Sequence, residues 1–270
     1  MAGTIRKGER LRFLLPCLLA TLQLGGCQTA ASPAAKQVLR QVPREERTAL
    51  MVLNFRNATL KERAAEYEPW EFGIPSMIMT DLESIGLFNI QSWDMLKDVL
   101  EQQAFQSLGV VDEKEAVRIG RIVAARYLLS GSFMILDGNL RIESKLLSVE
   151  EGTLLGAASV SGRIDRFYEL EKELVLEMTG HLGALLTPAE SAALSGNVET
   201  RSVDASLSNY AGEFALVQAK ELKRKGKPEQ AESRLREAKE RFRAALKHDP
   251  GYMRARSNLA ALALAMPMTL

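Results

Sequence analysis

Residues 127–160 read YLLSGSFMILDGNLRIESKLLSVEEGTLLGAASV, and this stretch decides the fold. Tyr127 to Leu136 is nearly all apolar, as in a strand covered on both faces. Leu140, Ile142, Ser144 and Leu146 then alternate with Arg141, Glu143 and Lys145, the pattern of a strand with one wet face. Asp137-Gly138 between them is a two-residue hairpin turn, because glycine takes positive φ without steric cost. Glu151-Gly152 turns the chain again into a third strand, Thr153 to Val160. Three antiparallel strands are therefore expected side by side.

Upstream, Ala49 to Phe55 (ALMVLNF) is an apolar run of strand length. Trp70, Ile74, Met77, Ile78, Asp81, Leu82 and Ile85 recur at helical spacing with one polar intruder, and Gly86 stops the run. Phe88 to Trp93 alternates as a half-buried strand does. Met95 to Leu108 reads as an amphipathic helix, and Asp112 with Glu115 as a capping box for a helix through Ala125. Downstream, Asp165 is expected to cap a helix from Phe167 to about Leu186, before Pro188. The fold class is α/β: a single mixed sheet packed with helices over residues 48–188, plus a small all-α C-terminal segment. Residues 189–208, small and polar, read as a linker to a helical segment over 209–270.

That last segment is basic, with thirteen Lys/Arg against seven Asp/Glu between Gly212 and Arg256. Ala231, Leu235, Ala238, Phe242 and Ala245 form one narrow apolar seam on a charged helix. Ala238, Phe242, Ala245 and Pro250, followed by Asn258 and Leu259, resemble the second helix of a tetratricopeptide unit and the start of the next. The resemblance makes these six residues candidates for helix pairing or partner binding; a plain helical hairpin docked on the main domain is the other reading. Between Gly226 and Pro250 the chain is longer than that repeat allows by about two helical turns.

The N-terminus carries Arg6, Lys7, Arg10 and Arg12 against Glu9, then an apolar run from Leu11 to Leu24, then Gly25-Gly26-Cys27. A basic n-region, a short apolar h-region and small residues at the cut site are a secretory signature. The run is shorter than the ~20 residues of a spanning helix. Leu24-Gly25-Gly26-Cys27 resembles the lipobox of bacterial lipoproteins. Cleavage is then expected after Gly26, leaving residues 1–26 as signal peptide, and Cys27 carries the lipid anchor on a tether over 27–47. Gln28 after the cysteine points, by resemblance to enterobacterial sorting, to the outer membrane, with the domain facing the periplasm. The signal carries +3 of the chain's +1, so the remainder is near −2. So small a net charge implies no nucleic-acid partner.

The stretches from Leu50 to Phe105 and from Ala116 to Gly162 resemble the periplasmic α/β domain of the CsgG/HfaB-type curli-assembly lipoproteins. The echoes are Asn54-Phe55-Arg56-Asn57, Thr80-Asp81-Leu82, Leu100-Glu101-Gln102-Gln103, Ala124-Ala125-Arg126 and Gly152-Thr153. The resemblance implies a non-catalytic scaffold or accessory in assembly or export of a surface polymer. Its partners would be other envelope proteins, met through the α/β domain or the C-terminal helices, and further copies of itself. One departure stands out: the curli-export member inserts two membrane-spanning hairpins, and two hairpins need ~40 residues, which the tight Asp137-Gly138 turn leaves no room for. The alternatives are a lipoprotein regulator of a peptidoglycan synthase and a subunit of an outer-membrane export channel.

No catalytic constellation is readable, and no cofactor or metal is expected. His181 and His248 lie on helices with no cysteine or acidic cluster at ligand spacing. Phosphate-binding, dinucleotide and nucleophile-elbow motifs do not occur. Glu150-Glu151 reads as a solvated turn, KELKRKGK (220–227) as a solvated helix end or an anionic-lipid contact, and Trp70 and Trp93 as core or interface residues.

Overall fold

The computed structural model describes residues 42–43, 46–92, 113–122 and 124–265. The first strand, β1 (Thr48–Asn57), is followed by α1 (Lys61–Tyr67), α2 (Pro69–Ile85) and β2 (Phe88–Ser92). Next come α3 (Glu113–Ile122), β3 (Tyr127–Leu136), β4 (Asn139–Ser148) and β5 (Thr153–Arg163). Five further helices close the described chain: α4 (Phe167–His181), α5 (Pro188–Gly196), α6 (Val203–Arg224), α7 (Pro228–His248) and α8 (Met253–Ala265). The class is α/β, with one mixed five-stranded sheet in the order β2-β1-β3-β4-β5. Strand β1 runs parallel to β2 on one side and to β3 on the other, while β3, β4 and β5 are antiparallel. Sheet and described helices belong to one compact unit.

Local chemistry explains the elements. Asp137 and Gly138 both take positive φ, 50° and 74°, so the turn matches the twist of the strands and pairs Leu136 directly with Asn139. Alternation in β4 buries Leu140, Ile142 and Leu146 and exposes Arg141, Glu143 and Lys145. Gly86 closes α2 in the left-handed conformation, its N–H donating to the Glu83 carbonyl. β3 is less uniformly covered than its composition suggested: Leu128 and Leu129 are buried, yet Met134 and Leu136 near its end are exposed.

Helices α2 and α4 cover one face of the sheet. Trp70, Ile74, Ile78 and Leu82 from α2, with Phe167, Leu170 and Leu174 from α4, meet Leu50, Val52, Leu129, Ile142 and Leu146 in one core. Trp70 packs against Phe167 at 5.0 Å and edge-on against Phe133 at 6.3 Å between centroids. Burying one such aromatic removes ~150–250 Å² from water, so this trio anchors the layer.

Three sequence expectations meet a different structure. Asp165 does not cap α4: it lies in a 3-10 turn, Ile164–Arg166, and its carboxylate is held by Arg163 at 2.9 Å. The helix ends at His181 rather than near Leu186. Residues 189–208, read as a linker, hold α5 and the first turn and more of α6. The Thr187 hydroxyl accepts from the Glu190 N–H while the Glu190 carboxylate takes the Thr187 N–H, a reciprocal cap that starts α5. The helix expected over Met95–Leu108, the capping box at Asp112, Trp93 and the whole of 1–41, including Gly26 and Cys27, lie outside the described residues.

Candidate partner-binding groove

The helix α6 lies along α2, and α7 returns antiparallel beside α6. Where the three helices meet, a groove of about 350 Å³ opens. Its floor is apolar: Phe72 of α2 and Phe214 of α6 meet with ring centroids 5.9 Å apart, and Phe214 is 42% exposed. Its walls are charged with opposite sign. Glu68 and Glu71 stand at the start of α2, and Arg234, Glu237 and Arg241 on α7, whose wall is left with one net positive charge. Glu71 also accepts the backbone N–H of Asn57 at 3.1 Å, and Arg234 pairs with Glu237 at 2.6 Å. An aromatic floor between an acidic and a basic wall suits a protein segment carrying an apolar anchor and both signs of charge. It holds no nucleophile beside a base.

The groove depends on how firmly α6–α8 are seated, and a buried polar network seats them. Tyr252, opening α8, meets the hydroxyl of Tyr168 on α4 at 3.1 Å, and Tyr210 of α6 lies 3.4 Å from the same hydroxyl. Burial holds all three phenols above their usual range. Arg254 donates through Nε to Glu213 at 2.8 Å and through Nη1 to Glu199 and Thr80, each at 3.3 Å. Burial works against its charge, but the Tyr210 hydroxyl and the Glu213 carboxylate outweigh it and raise the guanidinium further. Trp70 adds a hydrogen bond from Nε1 to Ser206 of α6 at 3.0 Å. Gly73 lets the Tyr210 ring approach, since a Cβ there would lie 2.7 Å from Cδ2.

A second buried cluster lies within the core. Lys172 of α4 is ion-paired with Asp81 of α2, and Asn197 donates to the other Asp81 oxygen at 3.3 Å. Glu171 Oε2 lies 2.9 Å from Lys172 Nζ, at an angle that makes no hydrogen bond, and neither Glu171 oxygen has one. Burial, then the Asp81 charge, pushes the Glu171 carboxyl well above its ordinary range. The Asp81 that broke the apolar periodicity of α2 is thus half of a buried pair.

Of the residues singled out from sequence, Ala238, Phe242 and Ala245 are wholly buried on α7. Phe242 and Ala238 pack with Ala215 of α6 and Leu262 of α8, with Leu259 against them; Ala245 packs with Ala205, Tyr252 and Ala255. Asn258 donates to Asn209 at 3.1 Å and Glu213 at 2.8 Å. Pro250 is exposed in the turn before α8, its carbonyl taken by Arg256. None of the six lines the groove. His248 is half exposed, 4.0 Å from Asp204, and Glu151 accepts from Thr153 in its turn. Among the described residues no group of acidic, His or Cys side chains could hold a metal ion. The groove residues escaped sequence reading because they come from three helices far apart in the chain. Phe214, an aromatic off the apolar stripe of its own helix, was the one legible sign.

No family model and no curated protein matches the chain. Among solved structures it is similar to the LpoB C-terminal domain from Salmonella enterica, at 22% identity over 43% of this chain and 84% of that one, with a TM-score of 0.32. The PelC dodecamer from Paraburkholderia phytofirmans is similar at 16% identity over 54% and 94%, TM-score 0.35. Lipoprotein GNA1162 from Neisseria meningitidis is similar at 15% identity over 51% and 98%, TM-score 0.35. The expected membership of the CsgG/HfaB-type family is corrected: no family model matches the chain, and the echoes quoted from the sequence do not add up to that assignment. The tetratricopeptide likeness is withdrawn with it, since α7 fills nearly the whole interval from Gly226 to Pro250 as one helix.

Proposed function

We propose that this protein is a non-catalytic lipoprotein of the cell envelope, anchored in the outer membrane through Cys27, that regulates a peptidoglycan synthase by docking part of it in the α2–α6–α7 groove. The observation that carries the docking is the Phe72–Phe214 floor between walls of opposite charge, with Phe214 exposed where most aromatics of the chain are buried. With the curli-type family set aside, two readings remain from the sequence, synthase regulator and export channel. The channel needs strands to spare, whereas β3 and β4 are both internal to the sheet. The tether from residue 28 to 47 reaches ~70 Å at full extension and ~25 Å as a coil. The synthase domain it meets must therefore extend toward the outer membrane.

A photo-crosslinking residue at position 214 of the full chain, in its own cells, tests the reading. The expected adduct, identified by mass spectrometry, contains a peptidoglycan synthase, and Arg241→Glu weakens it. An adduct with an export component, or the same synthase adduct from a crosslinker on exposed Leu185 instead, overturns it.

A further inference from the structure

Strand β5 ends the sheet, hydrogen-bonded to β4 alone among the described strands. An edge strand turns alternate N–H and C=O groups outward, and such groups recognise another extended strand. Exposed edges are commonly blunted by lysine, proline or inward charge. Residues 153–162, TLLGAASVSG, carry none of these. One protective device is present. Leu146 pairs with Gly156 and Leu147 with Leu154, so Leu155 is the extra residue of a bulge. Beyond it, Gly156 to Gly162 runs in unbroken register against Leu146 to Leu140. Ala157, Ser159 and Ser161 are exposed on the outer face, while Ala158 and Val160 are buried on the inner one. Just before the run, Leu154 and Leu155 are 51% and 39% exposed.

We propose that β5 pairs with β5 of a second copy of this chain, antiparallel about a two-fold axis at Ser159, joining the two sheets into one. The stretch GAASVSG reads nearly alike from both ends, which an antiparallel two-fold requires. Gly156 faces Gly162, Ala157 faces Ser161, Ala158 faces Val160 and Ser159 faces itself. Every facing pair lies on the same side of the sheet, is small, and brings no like charges together. Self-pairing also sets the exposed Leu154 and Leu155 of each copy beside the Gly162–Ile164 end of the other. The acidic turn Glu150-Glu151 of one copy then lies toward Arg163 and Arg166 of the other. Those arginines already pair with Asp165 at 2.9 Å and Glu173 at 3.7 Å, so they orient the approach rather than hold it. A two-fold uses up the β5 edge of each copy, so pairing through β5 stops at two copies. This inference is independent of the groove.

Disulfide trapping in membranes of cells making the full-length chain reads the register. Ser159→Cys is expected to give a covalent dimer on a non-reducing gel after mild oxidation, over the background set by the unsubstituted chain. Ala157→Cys faces Ser161 and should link poorly, whereas Ala157→Cys and Ser161→Cys chains expressed together should link well. Ser159→Lys sets two ammonium groups face to face on an exposed position, and should cut the dimer fraction of the detergent-extracted protein about tenfold, with the monomer's secondary structure by circular dichroism unchanged. No dimer from Ser159→Cys, equal linkage at 157 and 159, linkage to a different protein, or a dimer indifferent to Ser159→Lys overturns the pairing.

Discussion

The ring of Phe242 occupies the space that a side chain on Gly212 would fill: a Cβ there would fall 2.6 Å from Cε1. This notch brings α6 and α7 together at the level where Ala238, Ala215 and Leu262 meet the same ring. Two effects oppose each other in Gly212→Ala. Helix propensity favours alanine by ~1 kcal/mol, while forcing a methyl into a filled site costs ~1–3 kcal/mol. The ring is wholly buried and has nowhere to go, so the clash is expected to win and the variant to melt at lower denaturant. Phe242→Ala should cost ~3–5 kcal/mol, and the double variant less than the sum of the two. A Gly212→Ala protein more stable than its parent would sink the notch.

The same seating has an electrostatic half. Arg254 is only 22% exposed at its side chain and satisfies Glu213 and Glu199, which are 15% and 20% exposed. Removing one partner of such a set leaves carboxylates without a counter-charge, a loss of ~3–5 kcal/mol where burial is complete and nearer the lower end here. Arg254→Met should therefore destabilise the whole protein, not just α8, because Glu199 precedes α6 and Thr80 belongs to α2. Hydrogen exchange checks this. Protection lost in α8 alone, with α2 and α4 untouched, contradicts it.

Much of the sheet was legible because its signals are local. The Asp137-Gly138 turn and the alternation of β4 sit within a few residues of the pairs they fix. What pairs across distance was not. Asp81 looked like a flaw in an apolar face until Lys172, from another helix, was placed against it. Thr187-Pro188-Ala189-Glu190 is a readable capping box, yet the Ser, Ala and Gly that follow it dilute the apolar period, so α5 was read as linker. The groove was least legible of all, since Phe72, half-buried against the core, and the exposed Phe214 come from helices far apart in the chain.

The Glu171 carboxyl gives a pH prediction. Its folded value is raised, first by burial and then by Asp81, above an ordinary value near 4.5. A carboxyl raised in the folded state binds its proton more tightly there, so the stability it contributes is present below 4.5 and is lost as pH rises from there through the raised value. Glu171→Gln keeps the neutral shape without the ionisation. Urea midpoints of the two proteins should nearly coincide at about pH 4.5, with the variant the more stable at pH 8. Parallel pH curves for the two proteins would show that Glu171 does not titrate differently on folding.

Attachment to the membrane is expected to rest on the acyl anchor alone. A strand can face lipid only if every backbone group is paired in a closed barrel, and a span takes ~9–11 residues of alternating pattern. Strand β4 has that pattern, but its buried side, Leu140, Ile142 and Leu146, is packed in the core with α4 residues. Its neighbour β3 is hydrogen-bonded on both sides, to β1 and β4. Moving the hairpin into a bilayer would split β1 from β5 and expose Trp70 and Phe133, which pack together. Among the described residues no helix is long and apolar enough to cross a membrane. Protease cleavage within the tether, between residues 28 and 47, should release the folded remainder into water without detergent, and Cys27→Ser should leave an unlipidated protein, soluble or unprocessed, that is missing from the outer membrane. Stable single-channel conductance from the purified lipoprotein in planar bilayers, or lipid protection of residues 127–149 from protease, would mean that the sheet does open.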